Sequence, residues 1–263
     1  MLLLANLAVI LNEDQLGLEK GYGARLAFLS VGIWWILFAQ IPFNRLPKDN
    51  PRPVTKGVIG KGYKEIQHVW QQLQNLPNTK KFLMSYFFYI SGVLTVMMLA
   101  TIFAEDELKM ETDKLIITVL VIQLVAIIGA TLAAKLSEIK GNKFSLLVML
   151  FIWIAICIAA YFVDQQNQFF VLAGVVGLVM GGIQSLSRST YSKLIPENTP
   201  DTASFFSFFD VLEKTGIVFG AFLFGFIGEK YGMRNSVLAL IGYFVIGIAI
   251  LMTVKIQKPK QVN

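Results

Sequence analysis

Cysteine, histidine and charge are all scarce in this chain, and each shortage removes a class of function. The single cysteine, Cys157, excludes an internal disulfide. With His68 the only histidine, there is no ligand set for a structural zinc, which takes about four Cys or His side chains. Charged residues make up 15% of the 263, whereas a soluble domain carries about a quarter. The sequence also contains no H-E-x-x-H, no G-x-S-x-G and no G-x-x-x-x-G-K, so the usual metal, nucleophile and phosphate-binding signatures are missing. No enzyme activity, no cofactor and no metal are expected.

What is abundant is apolar side chain, at 55% of residues, with a mean hydropathy of +0.62. Crossing roughly 30 Å of hydrocarbon takes about 20 mostly apolar residues at 1.5 Å rise each. Seven segments meet or approach that length: Arg25 to Ile41, Phe82 to Ala104, Leu115 to Leu136, Phe144 to Val163, Phe169 to Leu186, Ala203 to Ile227, and Ser236 to Val254. An eighth, Met1 to Leu11, is apolar but spans only about 16 Å by the same rise. It has no basic start and no small-residue cleavage site, so it does not read as a secretory signal. The expected fold is all-α and integral to a membrane, with the lipid bilayer as its first partner.

The formal charge of +6 raises the question of nucleic acid. Its distribution answers otherwise. Between Pro42 and Lys81 lie Arg45, Lys48, Arg52, Lys56, Lys61, Lys64, Lys80 and Lys81, which places that linker on the cytoplasmic side by the positive-inside rule. Lys135, Lys140 and Lys143, then Arg188 and Lys193, then Lys255, Lys258 and Lys260 fall on the same side when the spans alternate, with EDELKMETDK and DQQNQ opposite. Lys230 and Arg234 dissent, since the count puts them outside. Within the linker, Ile66, Val69, Trp70, Leu73 and Leu76 recur at helical spacing and Pro77 closes the run, which describes an amphipathic helix on the membrane face or on the bundle. His68 falls off that stripe and reads as a solvated histidine.

The stretch most at odds with its surroundings is FFSFFDVLEK, where Asp210, Glu213 and Lys214 sit inside an apolar span. An ionisable group near the bilayer centre costs roughly 2.5 to 3.5 kcal/mol on insertion scales, so it is normally paired and turned to protein or a wet cavity. Counting from Ala203, Asp210 lies about 10 Å and Lys214 about 16 Å into the span. Asp210 and Lys214 have the i, i+4 spacing of an ion pair, and Arg188 on the preceding span is a second partner for the acids. Gln184 shares a helix face with Arg188 and is expected to line a cavity. Ser185, Ser187 and Ser189 read as a helix end at the interface. Tyr89 is a further site candidate, and Gln123 is the one strongly polar side chain deep in its span, suited to an interhelical hydrogen bond. Gly177 with Gly181, and Gly216 with Gly220, have the spacing that lets helix backbones approach, so they read as packing residues.

Two motifs carry a family resemblance. The loop LSEIKGNK, residues 136 to 143, resembles the loop signature of the major facilitator superfamily: Glu138 stands at its acidic position, Gly141 at its glycine and Lys143 at its final base, the gating loop by that resemblance. Ile139 and Asn142 replace its usual arginines. GGIQSLSRSTYSKLIP followed by FFSFFDVLEK and a glycine-rich run resembles the branch that includes the autophagy-related vacuolar amino-acid effluxers and their bacterial relatives. Gly220 is followed by Ala221 where members often have Gly-Pro. The resemblance implies a C-terminal six-helix half of a major facilitator fold with one and a half helices before it. On that pattern residues 1–41 are a remnant of the N-terminal half, 42–81 the basic linker, 82–254 the six-helix bundle and 255–263 a tail. It further implies secondary active transport of a small polar solute by alternating access, with amino acids as the solute class. The charges themselves suggest that Asp210 or Glu213 exchanges a proton while Lys214 holds the acids or meets a substrate carboxylate, the alternative being a structural ion pair without solute contact. The competing expectation is a truncated or half-size membrane protein that needs a missing N-terminal half or a second copy. Short loops point to a bacterial inner membrane.

Overall fold

The computed structural model describes residues 2–19, 21–46, 58–196, 199 and 201–256, and every regular element among them is an α-helix. In chain order these are α1 (Leu2–Leu11), α2 (Tyr22–Arg45), α3 (Val58–Gln74), α4 (Pro77–Asp106), α5 (Thr112–Lys140), α6 (Asn142–Tyr161), α7 (Gln166–Leu194), α8 (Thr202–Tyr231) and α9 (Met233–Thr253). Seven of them, α2 and α4 to α9, are long and apolar enough to cross a membrane. The protein is an all-α integral membrane protein. The linker cations Lys48, Arg52 and Lys56, and Lys258 and Lys260 of the tail, lie outside the described residues.

The chain forms two compact units, Met1–Lys56 and Gly57–Asn263. In the first, Glu13 closes the turn between α1 and α2. Its carboxylate accepts the backbone N–H groups of Gly21 and Gly23, each at 2.8 Å, and so caps a helix start that would otherwise leave those donors orphaned. Asn6 of α1 accepts the Ser30 hydroxyl of α2 at 2.8 Å.

In the second unit α3 packs on the bundle through Val69 and Leu73, both fully buried. Trp70 lies 6.2 Å from Phe208, and Ser204 donates to Glu65 at 2.6 Å. His68 is exposed, as its place off the apolar stripe suggested, and it lies beside a polar contact between α3 and the start of α8. Gln72 donates to Asp201 at 2.9 Å, and His68 Nε2 lies 2.8 Å from that amide and 3.7 Å from Asp201. Pro77 ends the α3 register and also opens α4, where its missing N–H costs nothing.

The α4, α5, α7 and α8 helices run to 29 or 30 residues and exceed the spans read from hydropathy, while α6 and α9 stop at 20 and 21. Hydropathy marks where water begins, and the backbone continues helical past that point. One consequence is that Arg188 lies inside α7, two turns before its end at Leu194. Another is that the loop motif is almost wholly helical, with only Gly141 between α5 and α6. Gly141 sits at φ 87°, a conformation that favours glycine.

Glycines set the closest helix crossings. A Cβ on Gly129 would fall 1.9 Å from the Leu178 carbonyl oxygen, one on Gly181 2.3 Å from that of Ala126, and one on Gly177 2.7 Å from that of Ile122, so α5 and α7 touch backbone to backbone. Gly216 and Gly220 let α8 approach α4 closely, where an added Cβ would meet the hydroxyls of Ser91 and Thr95 and, at Gly220, the Ser91 carbonyl. At the far end Arg234, one of the two cations that dissented from the charge count, is fully engaged. It donates to Glu107 at 3.1 Å and to the Tyr161 carbonyl at 2.8 Å, and pairs with Asp164 at 2.9 Å, tying the ends of α4, α6 and α9 to the loop before α7.

Candidate functional site

Three helices bring the charged residues together. The α7 helix presents Gln184 and Arg188 one turn apart on its exposed side, and α8 presents Asp210, Glu213 and Lys214. From α4 comes Tyr86, three residues before Tyr89.

Arg188 Nη2 donates to Asp210 Oδ1 at 2.7 Å, with both side chains about half exposed in this chain at 53% and 51%. The guanidinium also lies over the rings of Phe206 and Phe209, at 5.9 and 5.5 Å, a cation–π arrangement that holds it between α7 and α8. Because Arg188 captures Asp210, the i, i+4 pair expected between Asp210 and Lys214 does not form. Lys214 instead turns to its neighbour and donates to Glu213 at 3.1 Å. Glu213 is the more protected acid, at 24% exposure, and takes a second hydrogen bond from the Tyr86 hydroxyl at 3.0 Å. Two cations and two carboxylates thus sum to zero charge on one face, which meets the requirement that membrane charges be compensated.

Behind this face lies a neutral layer. Ser187 donates to the Ile183 carbonyl and accepts from the Tyr89 hydroxyl at 2.7 Å, since its one proton is already committed. Both are fully buried. Ser187 is therefore part of the α4–α7 contact, not of a helix end at the interface; Ser185 and Ser189 do stay exposed. Tyr191 donates to the Phe205 carbonyl of α8 at 3.0 Å. Phe209 stacks on Tyr86 at 4.0 Å and on Tyr191 at 4.9 Å, so the acids of α8 ride on an aromatic base.

The remaining candidates make no hydrogen bond with the paired charges among the described residues. Gln123 is exposed on α5 and makes no hydrogen bond to another helix among the described residues. Gln184 is exposed beside Arg188, also without a side-chain partner among the described residues. Of the loop motif, Glu138 is exposed at the end of α5, and Lys143 donates to the Met252 and Val254 carbonyls, both at 2.7 Å, closing the last turn of α9. The centre of that motif is a residue that in sequence stands only as a departure from the usual arginine. Asn142, 5% exposed, accepts from Ser137 at 2.6 Å and from Lys193 at 3.0 Å and donates to Thr190 at 2.9 Å. It joins α5, α6 and α7. Its signal in the sequence was a polar, compact residue in the place of an arginine, and Tyr191 gave none beyond its aromatic ring.

Residues 1–262 match the model of the Atg22-like vacuole effluxer family. The chain belongs to that family. Among its relatives is an uncharacterised transporter of the major facilitator type, YxiO of Bacillus subtilis, 29% identical over 94% of this chain and 58% of the relative. Autophagy-related protein 22 of Yarrowia lipolytica is 25% identical over 91% of this chain and 46% of its own length. The protein of that name in Vanderwaltozyma polyspora is 29% identical over 90% and 51%. The chain thus spans about half the length of these Atg22-like relatives.

Proposed function

We propose that this chain supplies the six-helix C-terminal half of a secondary transporter that moves a small polar solute by alternating access. The observation that carries the reading is Glu213, held midway along a spanning helix between the Tyr86 hydroxyl of one helix and the Lys214 ammonium. A carboxylate in that position exchanges a proton without being stranded, because either protonation state finds a hydrogen-bond partner. Arg188 and Asp210 join α7 to α8 through side chains alone, so their pairing in one state and separation in another is a natural switch for helices that rock apart. In this assignment Glu213 carries the coupling proton, Lys214 meets an anionic group of the solute, and Gln184 and Tyr89 border the path. The resemblance to amino-acid effluxers stated above supports amino acids as the solute class, and the Bacillus relative with the short loops supports a bacterial plasma membrane.

The test is uptake and efflux of a radiolabelled amino-acid mixture in proteoliposomes with an imposed pH gradient, using the polypeptide as purified from its own membranes after its intact mass is determined. Glu213→Gln is expected to abolish the dependence on the gradient while exchange persists. Rates and pH dependence that survive both Glu213→Gln and Asp210→Asn, in variants that purify as monodisperse species, remove the coupling role. A second reading has its own support: with half the length of its relatives and a charged face half exposed, the chain fits a half-size protein that needs a partner half. Flux by this polypeptide alone ends that reading.

A further inference from the structure

Where α3 lies against α4 and α8, an apolar groove of about 250 Å³ opens beside Trp70. Leu83, Phe87 and Phe88 of α4 and Phe208 and Leu212 of α8 line it, and Lys80 is the one charged residue among its lining. Lys80 and Trp70 mark its mouth, with the ammonium 5.4 Å from the indole centroid. Lys81 follows, exposed. From Lys80 to Phe88 the helix descends about 12 Å, so the groove reaches from the basic helix end well into the hydrocarbon layer.

We propose that this groove holds one acyl chain of an anionic phospholipid, with the headgroup phosphate on Lys80 and Lys81. The order of chemistry down the groove is that of a lipid: cations at the surface, an amphipathic indole at the level where tryptophans meet headgroups, then an aromatic slot. The α3 helix itself has the form of an interfacial helix, its apolar stripe on the bundle and Tyr63 71% exposed. A lysine ammonium offers three donors, and Gln74 takes one of Lys80's at 2.6 Å. No carboxylate lines the groove, so the partner for that charge is brought by the occupant. A phosphodiester with an acyl chain satisfies both ends at once. The lipid then sits between α3 and the helix carrying Asp210 and Glu213, and the site stands whatever solute the protein moves.

The test uses tryptophan fluorescence in the full chain with Trp34→Phe and Trp35→Phe, which leaves Trp70 as the exposed reporter above the buried Trp153. The protein is reconstituted in phosphatidylcholine vesicles into which brominated phosphatidylglycerol or brominated phosphatidylcholine is titrated. Quenching by the glycerol lipid is expected to saturate at lower mole fraction, by about five-fold for each lysine, the equivalent of ~1 kcal/mol per basic residue at an anionic surface. Bromines near the glycerol end of the chain should quench more than bromines near its tail. Lys80→Gln with Lys81→Gln is expected to erase the preference, and the Arg pair to keep it, which separates charge from damage to α3. Equal quenching by both lipids, unchanged in the Gln pair, shows unselective surrounding lipid and overturns the site. Absence of quenching by either shows the groove covered by protein and overturns it as well.

Discussion

The α7 helix meets its two neighbours by opposite means. Toward α5 it presents Gly177 and Gly181, and α5 replies with Gly129, so that backbones touch. Toward α8 it presents Arg188 and Tyr191, which reach across to Asp210 and to the Phe205 carbonyl. A seam of backbone contacts has no slack, because close-packed interiors do not deform by fractions of an ångström without losing contact on one side. A seam bridged by long side chains opens by rotating a few χ angles. The seam toward α5 is fixed by backbone contact, and the yielding seam toward α8 carries the Arg188–Asp210 pair.

The strongest way to break this comparison is to put a methyl group into the fixed seam. Gly129→Ala places Cβ 1.9 Å from the backbone of Leu178, where no side chain can swing aside. The expected loss of stability is about 3 kcal/mol or more, at the upper end of overpacking costs, read as a collapse of the thermal midpoint of the detergent-solubilised protein. Gly174, on the partner helix α7, has nothing within 4 Å of its added Cβ, so Gly174→Ala should change stability by less than about 1 kcal/mol, the difference in helix propensity. Equal effects from the two would mean the seam is not close-packed.

Next comes the polar pin at the end of the fixed seam. Asn142→Ala strips partners from Ser137, Thr190 and Lys193 together, and leaving buried groups unpaired costs about 1 to 3 kcal/mol. The same melting assay should place it between the two glycine variants. Tyr191→Phe belongs to the yielding seam and removes only the bond to the Phe205 carbonyl while its stacking on Phe209 remains. About 1 kcal/mol is expected.

The contrast between the seams also explains what could be seen beforehand. The spans, the amphipathic α3 and the packing role of Gly177, Gly181, Gly216 and Gly220 follow from composition and local period, and these were legible. So was the isolation of Asp210, Glu213 and Lys214, because charge stands out against an apolar run. Pairing was not, since it depends on which helix lies alongside. The i, i+4 rule joined Asp210 to Lys214, and a stronger bidder from α7 took Asp210 away. Asn142 and Gly129 were missed for the same reason: apart from Ser137, their partners are 47 residues or more distant, at Ser189, Thr190, Lys193 and Leu178. Local sequence carries no trace of such partners.

The smallest expected change in stability accompanies the largest expected change in activity, and it falls on the yielding seam. Arg188 and Asp210 are each about half exposed, and an exposed ion pair contributes about 0 to 1 kcal/mol. Arg188→Gln and Asp210→Asn, alone and combined, should therefore shift the melting midpoint little, with a coupling energy under about 1 kcal/mol in the double-mutant cycle. If the pair is the latch between α7 and α8, each single substitution should lower flux by up to about fivefold, since losing a pair worth up to ~1 kcal/mol in one state changes a population by that factor. The double variant should regain part of that flux, because neither state then holds an unpaired charge. A pair that serves packing alone gives the reverse pattern, with stability falling and flux per folded molecule unchanged. Measuring both quantities on the same four proteins decides which seam the charges belong to.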